Sequence, residues 1–581
     1  MSQKTTTKKI EIPDPKPAQN NKYKWLSLGV MALALAIIVI DGTVLNVSQK
    51  YVIQDLNTDI KSIQWAFTGY SLVLAALTIF GGRLGDMFGR KKMFILGAII
   101  FAIGSGLTAL SQDVTTFFFG WAVIEGIGAS LMIPASSALI VSNFEGKERG
   151  LAFGIYGAVA GAASSFGPIL GGFFASNIGW RWAFGINVVI GAILCLGTII
   201  VRDRKDQYPE KTYLDYIGVI LSSLGLTSLV YGVIESTDYG WLSAKKAWEI
   251  GGQRLDLFGL SISFWSILIG LILLVSFVLY ELKLEKSGQD PLFSMKIFTN
   301  RQFTLGSTSL AALFGGFSGL ITYGIIFYLL TVKNLDALQA GLALIPFSLA
   351  TLVMAPLSAR LSDKFGQKNV IILGLIINTI GAFLIRNTIS YSASVNNFIF
   401  PFIVSGFGFG LIAAQFNNLI LSSVAVQESG VASGVSGTMR EVARAFGIAI
   451  IGSVFIGTLT AGAVAGIQAQ SDKDIPPFIK TTLIDSLNRG ENNIGRDTKV
   501  SDAQIIDNLK KQNIQLPNQV AKDNYLANYR IWESNIKKQI DISITESSRA
   551  ALTYTIGFNI IALVLALGLQ GRKKAKIKST N

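Results

Sequence analysis

"GGRLGDMFGRKK" fills residues 81–92, and "SARLSDKFGQKN" fills residues 358–369, an offset of 277 positions. Six positions agree: Arg83/Arg360, Leu84/Leu361, Asp86/Asp363, Phe88/Phe365, Gly89/Gly366 and Lys91/Lys368. The same offset runs on without a gap, "ILGAIIFAIG" (95–104) against "ILGLIINTIG" (372–381). Chance is a poor explanation. A fixed-offset repeat in a long apolar chain points to two related halves, the plan of many membrane transporters.

The rest of the chain supports a membrane setting. Half of its 581 residues are hydrophobic and 15% are charged, where a soluble domain carries about a quarter. Mean hydropathy is +0.49. Fourteen apolar runs lie at 25–48, 64–82, 93–111, 116–140, 151–175, 184–201, 214–235, 258–280, 303–331, 341–359, 370–387, 398–422, 432–462 and 551–570. Runs near twenty residues cross a hydrocarbon core of about 30 Å as helices. An all-α polytopic membrane protein follows. The first run continues without a small-residue cleavage site and reads as an uncleaved span.

The repeat copies follow runs 2 and 10, so runs 7 and 8 have no partner. The expected organisation is a tail at 1–24, a six-helix half at 25–201, and two inserted helices with their loops at 202–300. The first five helices of the second half follow at 301–462, then a long polar segment at 463–550, then the last helix with a basic tail at 551–581. From about 518 the polar segment reads as an amphipathic helix leading into the last span. Residues 236–257 form a shorter loop with Trp241 and Trp248 as interfacial anchors.

Lys and Arg gather in alternate loops: Lys22 and Lys24; Arg83, Arg90, Lys91 and Lys92; Lys147 and Arg149; Arg202, Arg204, Lys205 and Lys211; Lys283, Lys286, Lys296 and Arg301; Arg360, Lys364 and Lys368; and the tail "GRKKAKIK". With fourteen spans all of them fall on one side, which the positive-inside rule makes cytoplasmic, with both termini there. The formal charge of +14 therefore belongs to a membrane surface rather than to nucleic acid.

Absences narrow the chemistry. There is no histidine and one cysteine, Cys195, so internal disulfides, His-ligated metals and Ser-His-Asp triads are excluded, and proton chemistry falls to carboxylates. Gly146-Lys147 is followed by Glu148, so no phosphate-binding loop is present. A membrane enzyme, such as an acyltransferase, lacks a catalytic constellation. No cofactor is expected, and a proton gradient is the expected energy source.

The 81–92 loop resembles the G-x-L-a-D-r-x-G-r-k-x loop between helices 2 and 3 of the major facilitator superfamily. Fourteen spans, with two inserted between six-helix halves, are similar to its QacA/EmrB-type drug:proton antiporter branch. "IDGTVLNV" (40–47) resembles that branch's first-helix motif, "GAVAGAASSFGPILGG" (157–172) its fifth-helix antiporter motif, and "WRWAFGIN" (180–187) the start of helix 6. The resemblance covers residues 25–460 and the last span, and leaves 463–550 unexplained. It implies a monomer in the cell membrane that exports small amphipathic, cationic compounds in exchange for protons by alternating access. A lipid or glycolipid exporter on the same fold is the alternative, and a proton symporter is a further rival against which the fifth-helix motif argues.

Asp41 sits about 24 Å along the first run. A carboxylate there costs energy to insert unless it faces a wet cavity or a partner. Glu125, in "GWAVIEGIGASLMIP" (120–134), is a second acid in the same half. The resembled motif is R-x-x-Q-G-x-G, and this chain has Ala122 and Glu125 in place of its Arg and Gln. A carboxyl group removed from water beside another carboxyl binds a proton more readily. Asp41 and Glu125 are therefore the expected proton-coupling and substrate-charge groups.

Trp121, one helical turn before Glu125, is the expected aromatic partner for a lipophilic cation. Asn46, Tyr323, Gln415 and Asn418 are the other expected cavity-lining residues. Gly82, Arg83, Asp86, Gly89, Arg90 and Lys91 form the expected cytoplasmic gate. Gly157, Gly161, Gly167, Pro168, Gly171 and Gly172 form the antiporter motif, a packing face for close helix approach. Arg440, Glu441 and Arg444 read as a satisfied ion cluster.

Overall fold

The computed structural model describes residues 21–58, 60–203, 213–250, 253–255, 258–471, 477–488 and 519–571. The 1–20 part of the tail, Arg204, Lys205, Lys211, the basic stretch 572–581 and most of 472–518 lie outside them. The described chain is almost wholly helical. Its long helices are α1 Asn21–Asp55, α2 Ile60–Phe88, α3 Arg90–Ala109, α4 Val114–Asn143, α5 Gly146–Asn177, α6 Arg181–Gly197 and α7 Tyr216–Tyr239. After these come α8 Ile262–Lys286, α9 Arg301–Thr331, α10 Ile345–Phe365, α11 Gln367–Thr388, α12 Ile399–Ser422, α13 Ser429–Gln468 and α14 Gln519–Leu567. Thirteen are long and apolar enough to cross a membrane; α6, at 17 residues, is the shorter fourteenth. The loop after α7 adds a small antiparallel hairpin, Trp248–Ile250 with Gln253–Leu255.

In a bilayer, apolar surface gains little by leaving lipid, so helices associate through small residues and local hydrogen bonds. Large apolar side chains accordingly stay on the outside: Ile103, Val189, Leu196, Val275, Leu279 and Val564 are all exposed. The contacts between helices fall on glycines. A Cβ on Gly128 would meet the α3 backbone at 2.5 Å, and one on Gly270 the α7 backbone at 2.6 Å.

The halves meet along two equivalent seams. In one, Gly154 of α5 lies against Ala355 and Pro356 of α10; in the other, Gly434 of α13 lies against Thr78 and Ile79 of α2. Subtracting the repeat offset from 355 gives 78, so the seams are copies of each other. The inserted helices pack beside the second seam. Trp65 of α2 stacks on Tyr231 of α7 at 5.6 Å, and Ser223 Oγ donates to the Ala76 carbonyl at 3.0 Å.

Contacts between loops gather the basic segments at one end. Lys24 pairs with Glu148, Asn143 donates to the Arg202 carbonyl, Lys147 approaches Asp363, and Lys368 donates to the Leu567 carbonyl. At the opposite end, Arg181 pairs with Asp55 and donates to the Ser111 carbonyl. Helices α13 and α14 overrun that end. With 40 and 49 residues they are about 60 and 73 Å long, roughly twice the hydrocarbon thickness. The helix expected from about residue 518 is thus continuous with the last span.

Candidate functional site

A cavity of about 370 Å³ lies between the two halves. Its N-terminal wall includes Phe67, Tyr70 and Trp121, with Gly157, Gly161 and Pro168 of α5; its C-terminal wall includes Phe314, Phe317, Phe347, Phe409 and Asn417. Phe317 stacks on Phe409 at 4.7 Å and on Phe347 at 5.7 Å. This aromatic plate provides apolar area without a polar group to satisfy. The charged residues lining the cavity are Arg440, Glu441 and Arg444, all on α13.

Asp41 and Glu125 are brought together, but behind this wall. Asp41 is 2% exposed and Glu125 fully buried, and the two carboxyl groups lie in each other's electrostatic reach. Neither is among the lining residues of this cavity. Asp41 Oδ2 accepts from Trp121 Nε1 at 2.8 Å, and Asp41 Oδ1 accepts from Asn187 Nδ2 at 3.0 Å. Thr108 Oγ1 lies 3.5 Å from Glu125 Oε1, while Glu125 Oε2 has no hydrogen-bond partner among the described residues.

Local geometry explains the pairing. Residues Phe118–Glu125 of α4 are π-helical, a wider turn found most often at functional sites. The wider turn carries Trp121 toward Asp41 on α1 and leaves Glu125 against α3. There Gly104 makes room: a Cβ on it would lie 2.6 Å from the Glu125 nitrogen. On its cavity side the Trp121 ring is stacked by Tyr70 at 5.1 Å with a 7° interplanar angle, and met edge-on by Phe67 at 5.2 Å. Trp121 is therefore a hydrogen-bonded partition between acids and cavity.

Other expectations fare differently. Tyr323 does not line the cavity; it sits in a second π-helical stretch, Leu320–Ile326, and faces Gly452 and Phe455 of α13. Gln415 donates to Ser358 Oγ at 3.0 Å, and Asn418 is buried beside Ser422; neither lines the cavity. Their neighbour Asn417 does, one residue and about 100° of helix rotation away. The side chain of Asn46 lies outside the described residues. Arg444 holds Glu441 through Nη1 at 3.0 and 3.2 Å. Arg440 is outside that pair: its guanidinium lies 5.4 Å from the centre of the Phe314 ring and makes no ion pair among the described residues. The cluster is thus only partly satisfied.

Sequence reasoning passed over Asn187, Tyr70, Ser105 and Thr108. Asn187 Nδ2 bridges Asp41 and Ser105, the latter at 3.2 Å. A polar amide inside an apolar run was the available signal.

The gate residues close the basic end. Asp86, 3% exposed, accepts from Arg90 Nε at 3.1 Å and Nη2 at 3.0 Å. It also accepts from the backbone nitrogens of Gly430 and Val431 at 3.2 and 2.8 Å. A carboxylate at a helix N-terminus meets free N–H groups and the positive end of the dipole. Arg90 reaches on to the Val426 carbonyl. Gly82 packs directly on the Gly430 carbonyl, and Gly89 caps α3 with φ 110°. Asp203 Oδ2 accepts from the Lys91 backbone, and Arg83 Nε is buried without a hydrogen-bond partner among the described residues. In α5, Gly167 and Gly171 pack on α1 at Thr43 and Val44, Gly161 packs on Thr351, and Gly172 on Leu338.

Comparison with known proteins agrees with this architecture. The family model described as Major Facilitator Superfamily matches residues 31–448. The chain is 31% identical over 453 residues to the "Probable actinorhodin transporter" of Streptomyces coelicolor, covering 77% of this chain and 75% of that one. It is 30% identical to the "Puromycin resistance protein pur8" of Streptomyces alboniger, covering 77% and 84%. Among solved structures, the human organic anion transporter MFSD10 superposes with a TM-score of 0.52 at 15% identity, over 74% of this chain and 94% of that one. With the fold, the paired seams and the family match in agreement, the chain belongs to the Major Facilitator Superfamily of membrane transporters.

Proposed function

We propose that this chain exports small amphipathic compounds in exchange for protons. In this reading both termini and the basic end face the cytoplasm, and the gradient supplies the energy without a bound cofactor. Asp86 then closes the cytoplasmic side, and transport alternates between this state and one open to the cytoplasm. The names of the two bacterial relatives, a transporter of one compound and a resistance protein against another, support export.

The observation that carries the coupling is the hydrogen bond from Trp121 to Asp41. An ionised Asp41 holds the indole in place and keeps the cavity wall intact. A proton arriving on the pair removes the charge that holds Trp121, so the N-terminal wall loosens and the Trp121 and Tyr70 faces are lost to the substrate. Proton and substrate then favour different arrangements of one side chain, which is the linkage exchange requires. It works without contact between substrate and acid, so it places no condition on substrate charge.

The test is transport in proteoliposomes under an imposed pH gradient, with 1-pyrenebutyrate, 1-pyrenebutanol and ethidium as probes. The expected result is gradient-dependent movement of at least one probe by the wild type, lost in both Asp41→Asn and Glu125→Gln. Movement that ignores the gradient, or that survives both substitutions, defeats the reading.

A further inference from the structure

The charges around the cavity carry an inference about the substrate, resting on the export reading for its context. Arg440, Glu441 and Arg444 are the charged residues that line it, leaving one positive charge in excess. Glu441 is hydrogen-bonded to Arg444 and lies within electrostatic reach of Arg440, without an ion pair to it. The acids of the N-terminal half offer Arg440 no direct contact, being behind Trp121 and Tyr70.

A guanidinium within membrane depth requires a counter-charge or hydrogen-bond acceptors. Arg440 finds an aromatic face, that of Phe314. A ring face attracts the cation, but it leaves the in-plane N–H groups of the guanidinium free, and these match a carboxylate, sulfonate or phosphate in a two-pronged bond. The same cavity is lined by Phe317 and Phe409 of the C-terminal half and by Tyr70 and Trp121 of the N-terminal half. An acidic group bound at Arg440 would thus have flat apolar surfaces within the same cavity for its hydrophobic body.

We infer that the cavity takes amphipathic organic anions, with Arg440 receiving the acidic group and the aromatic walls receiving the rest. The cationic substrate expected from the sequence assumed that Asp41 and Glu125 face the cavity, and they do not. Protonating the acid pair removes its long-range repulsion of a bound anion, which by itself works against exchange. Coupling must therefore come from the Trp121 hydrogen bond rather than from direct charge compensation.

The test is equilibrium binding to the full chain in phosphatidylcholine nanodiscs, with empty discs as blank and no gradient. The probes share one ring system: 1-pyrenebutyrate, 1-pyrenebutanol and a pyrenebutyl trimethylammonium. Wild type is expected to bind the butyrate about tenfold or more tighter than the ammonium. Arg440→Gln is expected to erase that preference, and Arg440→Lys to retain part of it. Equal or tighter binding of the ammonium by the wild type, which needs no variant to fold, overturns the inference. So does an anion preference that persists in Arg440→Gln. Adding phosphatidylglycerol to the discs assigns the source: displacement of the butyrate marks a lipid headgroup as the anion, and its persistence marks a free small molecule. Because no gradient is present, anion preference without driven transport leaves this inference standing and removes the export reading. Driven transport with a cation preference does the reverse.

Discussion

Asp86 and Asp363 hold the same place in two copies of one loop, yet their surroundings differ. Each faces the N-terminal end of the fifth helix of the opposite half. Asp86 is buried there, with two N–H groups of α13 and the Arg90 guanidinium bonded to it. Asp363 has a side chain 38% exposed, and Lys147 of α5 lies 4.0 Å away, itself 78% exposed. The sequence differences suffice to explain this. Where the first copy has Gly82 and Arg90, the second has Ala359 and Gln367. The glycine lets α2 touch the α13 backbone, and the arginine carries the buried bond onward to Val426. One copy is a latch and the other a loose contact, so closure of this end is asymmetric although the fold is not.

Breaking the latch should have the largest effect. Asp86→Ala removes the buried carboxylate bonded to Arg90, itself 1% exposed, and losing one partner of a buried pair costs about 3–5 kcal/mol. That cost falls on the closed state. Ser433 lines the cavity, so a Ser433→Cys reporter in a Cys195→Ser background reads the opening. Labelling by an impermeant maleimide from the basic end is expected to rise about a hundredfold or more. An unchanged rate would show that the Asp86 contacts do not hold this end shut.

A smaller effect is expected from Gly82→Ala. Its methyl would meet the Gly430 backbone carbonyl, and overpacking of this kind costs about 1–3 kcal/mol. The reciprocal change, Ala359→Gly, should shift labelling little, since an alanine-to-glycine change within a helix costs about 0.5–1 kcal/mol. Equal responses to the two would remove close approach as a cause of the asymmetry.

Smaller still is Gln367→Arg, which gives the second copy the missing guanidinium. Beside a half-buried Asp363 such a pair contributes about 0–1 kcal/mol, so labelling should fall by no more than about fivefold. A fall as large as the rise in Asp86→Ala would mean that Arg90 alone makes the latch, and that Gly82 is incidental.

This contrast also marks how far the sequence could be read. The repeat, the fourteen spans and the two acids were legible, because offset, hydropathy and intramembrane charge are properties of the chain itself. The facing of side chains was not. Asn417 and Asn418 share one chemistry, and one residue of helix rotation decides that Asn417 lines the cavity. Tyr323 and Trp121 lie in π-helical turns, where the spacing rules for an α-helix do not fix the direction. The burial of Asp86 against the exposure of Asp363 depends on which helix approaches more closely, a relation between halves that neither loop encodes alone.

Asp363→Asn should have the least effect on the closed state. Both side chains of its pair are solvated, the separation is 4.0 Å, and exposed pairs are worth about 0–1 kcal/mol. Labelling at Ser433→Cys should stay within about fivefold of the parent, with little dependence on salt. Turnover is a separate readout, because it also samples the arrangement open at the basic end. If Asp363→Asn slows transport while leaving closed-state labelling unchanged, the second copy acts in that other arrangement. The two copies would then take turns as the halves rock. If both readouts are unchanged, the second copy keeps the loop's shape through Gly366, whose φ of 87° repeats the positive φ of Gly89, and has left the latch to the first.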